Sequence, residues 1–319
     1  MTVHRRFLYG GIFLIAAGGV LLVVNGASVD RDDVAAALRL WPVAVIALGV
    51  GLLLRRTRFD VAGGMLAAAM PGLLLGGVVA AAPALPHGCG DVRPVALRTE
   101  TGAFTGAAVV DLRIACGDLS VTTAPGSGWQ VDVGSGSGGA PVVSASPGRL
   151  AVASATWHGP FDWAGGGDVW RVVLPTAGRL DLATEIDAGR GTLDLGGAEL
   201  GDVRVVVNAG KVTLDLEGAS LGHLSLRANG ASAAVSLPAT GDFGADLAVN
   251  AGSIRICAPA DLGLRIRQEG SLASHRYAGL VRSGDAWVSP NDATAVHHAD
   301  VTVTANVGSV DVNPEGGCR

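Results

Sequence analysis

Aromatic side chains make up only 4% of this 319-residue chain and charged ones only 16%, against about 25% charged in an average soluble protein. So few rings exclude a broad aromatic-lined catalytic cleft. So few charges in a chain that is 49% hydrophobic mean that part of it is not built for water. A basic surface is missing too, with 23 Lys and Arg against 28 Asp and Glu. That removes nucleic-acid binding, which needs a concentrated cationic face for the phosphates. The 48 glycines follow no three-residue period, so a collagen-like chain is out. None of the four cysteines has C-x-x-C spacing, which disfavours zinc and thiol-redox sites.

What is present is unevenly distributed. Residues 1–86 carry a balance of +3 and residues 87–319 one of −8, which together make the net −5. The change falls at Pro83-Ala84-Leu85-Pro86, where the apolar character also ends, and marks a domain boundary. Before it lie uncharged runs at Phe7–Val24, Leu40–Leu54 and Val61–Ala82. The first and last are long enough to cross a bilayer core of roughly 30 Å. The middle one reaches that length by borrowing Val34–Leu38, with Arg39 snorkelling to the surface. Three transmembrane helices are therefore predicted, at about 7–24, 36–54 and 61–82. For the first, a cleaved signal peptide is the competing reading, because Arg5 and Arg6 precede the apolar run and Gly26-Ala27-Ser28 follows it. Arg5, Arg6, Arg55, Arg56 and Arg58 flank one side of the spans and Asp30, Asp32 and Asp33 the other. Positive charge stays inside, which predicts a cytoplasmic amino terminus and an extracytoplasmic chain after residue 86. On the third span Gly64, Ala68, Gly72, Gly76 and Ala80 recur every fourth residue, a ridge that lets another helix come close. That helix belongs either to the same chain, to a second copy or to a membrane partner.

After residue 95 the apolar period is two, not 3.6, which predicts strands with one buried face. Val203, Val205 and Val207 alternate, as do Val212, Leu214 and Leu216. Asp187-Ala188-Gly189, Asn208-Ala209-Gly210, Asn229-Gly230 and Asn250-Ala251-Gly252 step by 21 residues each time. Asn306-Val307-Gly308 restates the unit, and Ala115-Cys116-Gly117 is an early degenerate copy. A fixed period with Asn and Gly at each corner predicts an all-β domain over 87–319, a β-solenoid-like stack of coils or a repetitive sandwich. Residues 122–168 interrupt it as a Gly- and Trp-rich insertion, with a flexible run at Gly134–Gly139. Trp157, Phe161, Trp163 and Trp170 crowd that region. They either plug an open end of the stack or offer a ligand surface for glycans or lipid headgroups.

Motifs with chemical meaning are weak. Gly218-Ala219-Ser220-Leu221-Gly222 matches a nucleophile elbow with His223 beside it, but that elbow needs a strand turning into a helix. Here Ser220 falls at the place of Glu199 in the preceding repeat, and His223 at that of Asp202. An extracytoplasmic hydrolase is the remotest reading, and no catalytic residue is assigned. Gly134, Gly136 and Gly139 fit G-x-G-x-x-G, but no helix follows to hold a pyrophosphate, so no nucleotide or other cofactor is expected. His297 and His298 with Asp300 are adjacent on a strand and point apart, which disfavours a metal site. His87, His158 and His275 have no acidic or Cys neighbour at ligand spacing. Cys89, Cys116, Cys257 and Cys318 all follow residue 86, where disulfides persist. Of three pairings, Cys89–Cys116 with Cys257–Cys318 is the preferred expectation.

The stretch Leu40-Trp41-Pro42-Val43 through Leu52-Leu53-Leu54 resembles the Trp-Pro-containing span of the LiaI/LiaF-type bacterial transmembrane region. The Asn-Ala-Gly repeats resemble the toastrack, or adhesin-type, β domain that often follows it. The resemblance implies a non-enzymatic bacterial envelope protein, in some relatives a negative regulator of a membrane sensor kinase that responds to cell-wall damage. The leading expectation is a non-enzymatic envelope protein whose three helices anchor an extracytoplasmic β module that senses or binds envelope components and modulates a membrane partner through helix contacts on the Gly64–Ala80 ridge; a structural or adhesive cell-surface module is the second reading.

Overall fold

A computed structural model describes residues 96–313 apart from 137–138, 156–166 and 271–272, with 317, 318 and short stretches between 11 and 73. The chain divides into two compact units, Met1–His87 and Gly88–Arg319.

In the first unit the described stretches are helical, the longest running over 11–16 and 67–73. Among the described residues no helix is long and apolar enough to cross a membrane. Most of the three predicted spans lies outside the described residues. Within the helical stretches the large apolar side chains of Leu14, Ile15, Ile46 and Leu53 are 65% or more exposed. Gly63, Gly64 and Gly72 are the buried ones.

Among the described residues the second unit is a 15-stranded sheet wound into stacked coils. Its centre is β7 (Arg179–Asp194), β8 (Glu199–Asp215), β9 (Ser220–Ser236) and β10 (Phe243–Cys257), each parallel to the next. The register sets Gly189 against Gly210, and Ala209 against Gly230, so each coil advances by the 21 residues of the repeat. The alternatives of sandwich and coil are thus decided for coils.

Each long strand bends in its middle. In β8, Val203, Val205 and Val207 are buried and so are Val212 and Leu214. On a straight strand residues five apart face opposite ways; the corner at Asn208-Ala209-Gly210 turns the second arm so that both rows share one interior. A second turn follows the second arm, held where Asp215 Oδ1 accepts the Glu217 N–H at 3.0 Å. Leu200, Leu216 and Ala219 complete the buried set of that coil, all at 3% exposure or less. Burial of each Val or Leu side chain is worth about 1.5–3 kcal/mol. Repetition stabilises the stack because in the central coils each interior row meets another aliphatic row above and below, Val203 against Leu224 and Val205 against Leu226.

The ends break chain order. β2 (Ala108–Ala124) lies against β7, and on its other side against both β5 (Arg149–Ala153) and β6 (Asp168–Pro175). Antiparallel strands finish that end: β3 (Gly128–Gly134) on β6, β1 (Arg98–Ala103) on β3, and β4 (Val142–Ser146) on β5. At the opposite end β15 (His298–Val312) inserts between β10 and two later-placed strands, β11 (Gly263–Glu269) and β12 (Ala273–Tyr277). The hairpin of β13 (Val281–Ser283) and β14 (Ala286–Val288) adds to β11. The expected insertion at 122–168 therefore contributes the three strands β3, β4 and β5 to an end cap.

Candidate functional site

The repeating coils present short, mostly polar outer rows, so the distinctive chemistry lies at corners and ends. Along one corner the asparagines form a ladder. Asn208 donates its amide N–H to Asp187 Oδ1 at 2.7 Å, Asn229 to Asn208 and Asn250 to Asn229 at 2.6 Å, and Asn306 to Asn250 at 2.7 Å. Asp187, an acceptor only, terminates the series at the end where a donor would have nothing to meet. Beside the ladder Gly189 and Gly210 have φ of 132° and 120°, and a Cβ at Gly210 would collide with the Gly189 carbonyl oxygen.

Apart from Phe243, buried at the start of β10, the described aromatic residues of the second unit gather toward the two ends. At the amino-terminal cap Phe104 and Trp129 are 4% and 6% exposed with ring centroids 6.4 Å apart, and Trp170 is fully buried. Trp170 therefore belongs to the core, opposite Leu119 on β2, and does not contribute to a ligand surface. Trp157, Phe161 and Trp163 lie outside the described residues. On the same strand Asp168 is buried and accepts from Ser154 Oγ at 2.6 Å, while Ser154 Oγ accepts the Ala115 N–H at 3.1 Å.

At the other end three rings cluster that the sequence did not mark. His275 stacks on Tyr277 at 5.1 Å, Trp287 meets Tyr277 edge-on at 5.3 Å, and His275 and Trp287 are 6.1 Å apart. Tyr277 is buried and donates its hydroxyl to Gln268 Oε1 at 2.7 Å. Burial, which penalises the phenolate, pushes its pKa up to about 12. His275 is exposed and Trp287 half-buried. These residues are 12 or fewer apart in sequence but meet because β12 pairs with the second arm of β15 while β14 adds to β11 on the first. The single available signal was aromatics on short alternating segments near the end of the repeats.

The other expected positions are accounted for as follows. Cys257 and Cys318 are bridged, with their Cα atoms 5.9 Å apart. Cys116 is disulfide-bonded as well, and Cys89 lies outside the described residues. On the small-residue ridge, Gly64 and Gly72 are buried and Ala68 half-buried, while Gly76 and Ala80 lie outside the described residues. A Cβ at Gly72 would run into the Phe13 carbonyl oxygen and stand 3.0 Å from Ala16 Cβ, so this position already holds a segment of its own chain. Ser220 pairs with Glu199 and His223 with Asp202 across adjacent coils, as the repeat requires, and strands flank the turn on both sides. His223 Nε2 stands 3.4 Å from Asp246 Oδ2. His298 Nε2 lies 2.9 Å from the Asp292 carbonyl oxygen, and the His298 N–H donates to Asp242 Oδ1 at 2.8 Å. Among the described residues no three His, Cys, Asp or Glu side chains converge to hold a metal. A groove of about 360 Å³ runs along the coil turns, between Glu217 and Gly218 on one side and Leu237, Ala239 and Pro259 on the other, beside Cys257.

No family model matches the chain, and no curated protein matches it. Among solved structures it is similar to a candidate cell adhesion protein from Clostridium sporogenes, at 14% identity and a TM-score of 0.46, over 68% of this chain and 98% of that one. It is also similar to candidate adhesins from Bacteroides fragilis (11% identity, TM-score 0.28) and Parabacteroides merdae (9%, 0.19), each over 68% of this chain and 96% of the other.

Proposed function

We propose that this chain is a non-enzymatic cell-surface module in which residues before 88 anchor a rigid β-solenoid outside a bacterial membrane, and the solenoid displays its end to envelope or surface ligands. The inverted packing of the first unit carries the anchor half of this reading. Leu14, Ile15 and Leu53 point outward at 68%, 76% and 72% exposure, while Gly63, Gly64 and Gly72 face inward. A helix assembly made for water buries its large apolar residues. In lipid no such force operates and small residues occupy the contacts. Display is supported by the stack itself, whose registered coils hold an end cap at a fixed distance from the other end.

Modulation of a membrane sensor kinase through the Gly64–Ala80 ridge is the other role, and it has less support. Gly72, the centre of the ridge, is taken up by Phe13 and Ala16. The test has two arms. The chain should remain with membranes through alkaline carbonate extraction, and protease added to intact cells should remove the 88–319 unit. Release by carbonate, or full protection from protease, rejects the reading. Exchange of residues 1–87 for an unrelated anchor should preserve surface binding in a display module, whereas a regulator working through helix contacts loses its effect.

A further inference from the structure

We propose that the carboxy-terminal end of the stack is a binding site for a saccharide that carries a carboxylate. His275 and Tyr277 stand opposite Val310 and Val312, and Trp287 opposite Ile266, so all three rings occupy interior-facing positions of the last coil. In the central coils such positions are aliphatic and the next coil seals them. Here the second arm stops at β12, while the first continues from β11 through β14 to β13. The rings consequently keep an open side, with His275 exposed and Trp287 half-buried. Spaced 5.1 to 6.1 Å apart, the rings form one compact cluster in which His275 and Trp287 reach the surface, and the bond from the buried Tyr277 to Gln268 holds the third ring in place. A pyranose has an apolar C–H face that packs on such rings while its hydroxyls stay wet. A protein partner needs about 800 Å² on each side, far more than three side chains provide.

The charge requirement comes from Arg282. It lies directly opposite Trp287 in the β13–β14 hairpin, and directly opposed residues share a face. Arg282 is exposed. Among the described residues no carboxylate pairs with it, whereas Arg265 meets Asp292 at 2.9 Å and Arg267 meets Asp300 at 3.9 Å. A guanidinium beside exposed rings offers a planar, two-pronged contact that selects carboxylate over hydroxyl.

This deepens the surface-module reading but is tested on purified protein, so the two can fail separately: absent binding leaves protease accessibility untouched, and an internal location leaves binding untouched. The full chain in detergent micelles is titrated calorimetrically with a glucuronic acid tetramer and with a neutral glucose tetramer. The uronate should bind at least about tenfold more tightly, the factor expected for a charge-assisted contact. Arg282→Gln, at an exposed position that packing does not depend on, should bring the two ligands to equal affinity. Trp287→Phe should weaken both. No binding of either tetramer, equal binding by the unaltered chain, or uronate binding unchanged by Arg282→Gln overturns the proposal.

Discussion

At the scale of single residues, the corner glycines answer to backbone geometry rather than to side-chain choice. Gly210 combines a φ of 120° with a Cβ position already occupied by the Gly189 carbonyl oxygen. Both the left-handed conformation and the collision oppose any side chain. Gly210→Ala should therefore lower unfolding free energy by about 2 kcal/mol or more, read by urea denaturation. A loss below about 0.5 kcal/mol would mean that the corner relaxes freely. The next coil shows one way to relax: Ala231 occupies the equivalent place, and among the described residues only Asn313 combines a side chain with positive φ. Tyr277 makes a second residue-scale prediction. Its folded pKa of about 12 lies above the ordinary 10.0, so the native state holds the proton that the unfolded chain releases. The stabilisation is complete below pH 10, declines as pH rises and is lost once pH passes about 12. Denaturation midpoints measured from pH 9 upward should fall more steeply for the unaltered chain than for Tyr277→Phe, and parallel curves would refute the assignment.

At the scale of elements, the strands are bent units whose ends are tied by local chemistry. The end of β10 is held twice, by the Cys257–Cys318 bridge and by Asn313, whose Oδ1 accepts the Ala258 N–H at 2.8 Å. The bridge spans 61 residues, and closing a loop of that size is worth about 4 kcal/mol in the chain-entropy account. Replacing both cysteines by serine should cost that order of stability by denaturant titration, without loss of the strand signal in circular dichroism. A cost under about 1 kcal/mol would show that β15 alone restrains the loop. The edge elements differ in kind. β1 and β13 are short, and charged side chains such as Arg98, Glu100 and Arg282 stand along them. Such edges resist pairing with another chain.

At the scale of the whole molecule, the interposed strands decide how the stack comes apart. A simple solenoid frays from its ends, because each coil touches only its neighbours. Here β2 and β15 lie within the stack and are flanked on both sides by strands from elsewhere in the chain. Amide exchange should accordingly be as slow in β2 and β15 as in β8 and β9, with β1, β4 and β13 exchanging first. Fast exchange along β15 would refute the interlocked arrangement. The same architecture explains the distribution of aromatics. Interior coils are filled almost wholly by Val, Leu, Ile and Ala of matching size, with Phe243 at the start of β10 the described aromatic among them. Each end lacks a neighbour and closes with bulk, Phe104, Trp129 and Trp170 at one and Tyr277 and Trp287 at the other.

Much of this was legible along the chain. Alternation of Val203 through Val207 and of Val212 through Leu216 identified the strands, and the 21-residue step of the Asn and Gly corners identified the repeat, because both reflect spacings that a backbone imposes locally. Even the pairing of Ser220 with Glu199 followed from that step. What sequence could not decide is where non-repeating segments go. The positions of β2 and β15, the burial of Trp170 and the meeting of His275, Tyr277 and Trp287 depend on which strands the chain's two ends pair with. The pairings of β2, β15 and Trp170 join residues remote in sequence, and the three rings, though close in sequence, meet only through strands that pair with β15 and β11; no local period records either. The repeats determined that a stack forms; tertiary pairing alone decided how its ends close, and with that where the exposed chemistry lies.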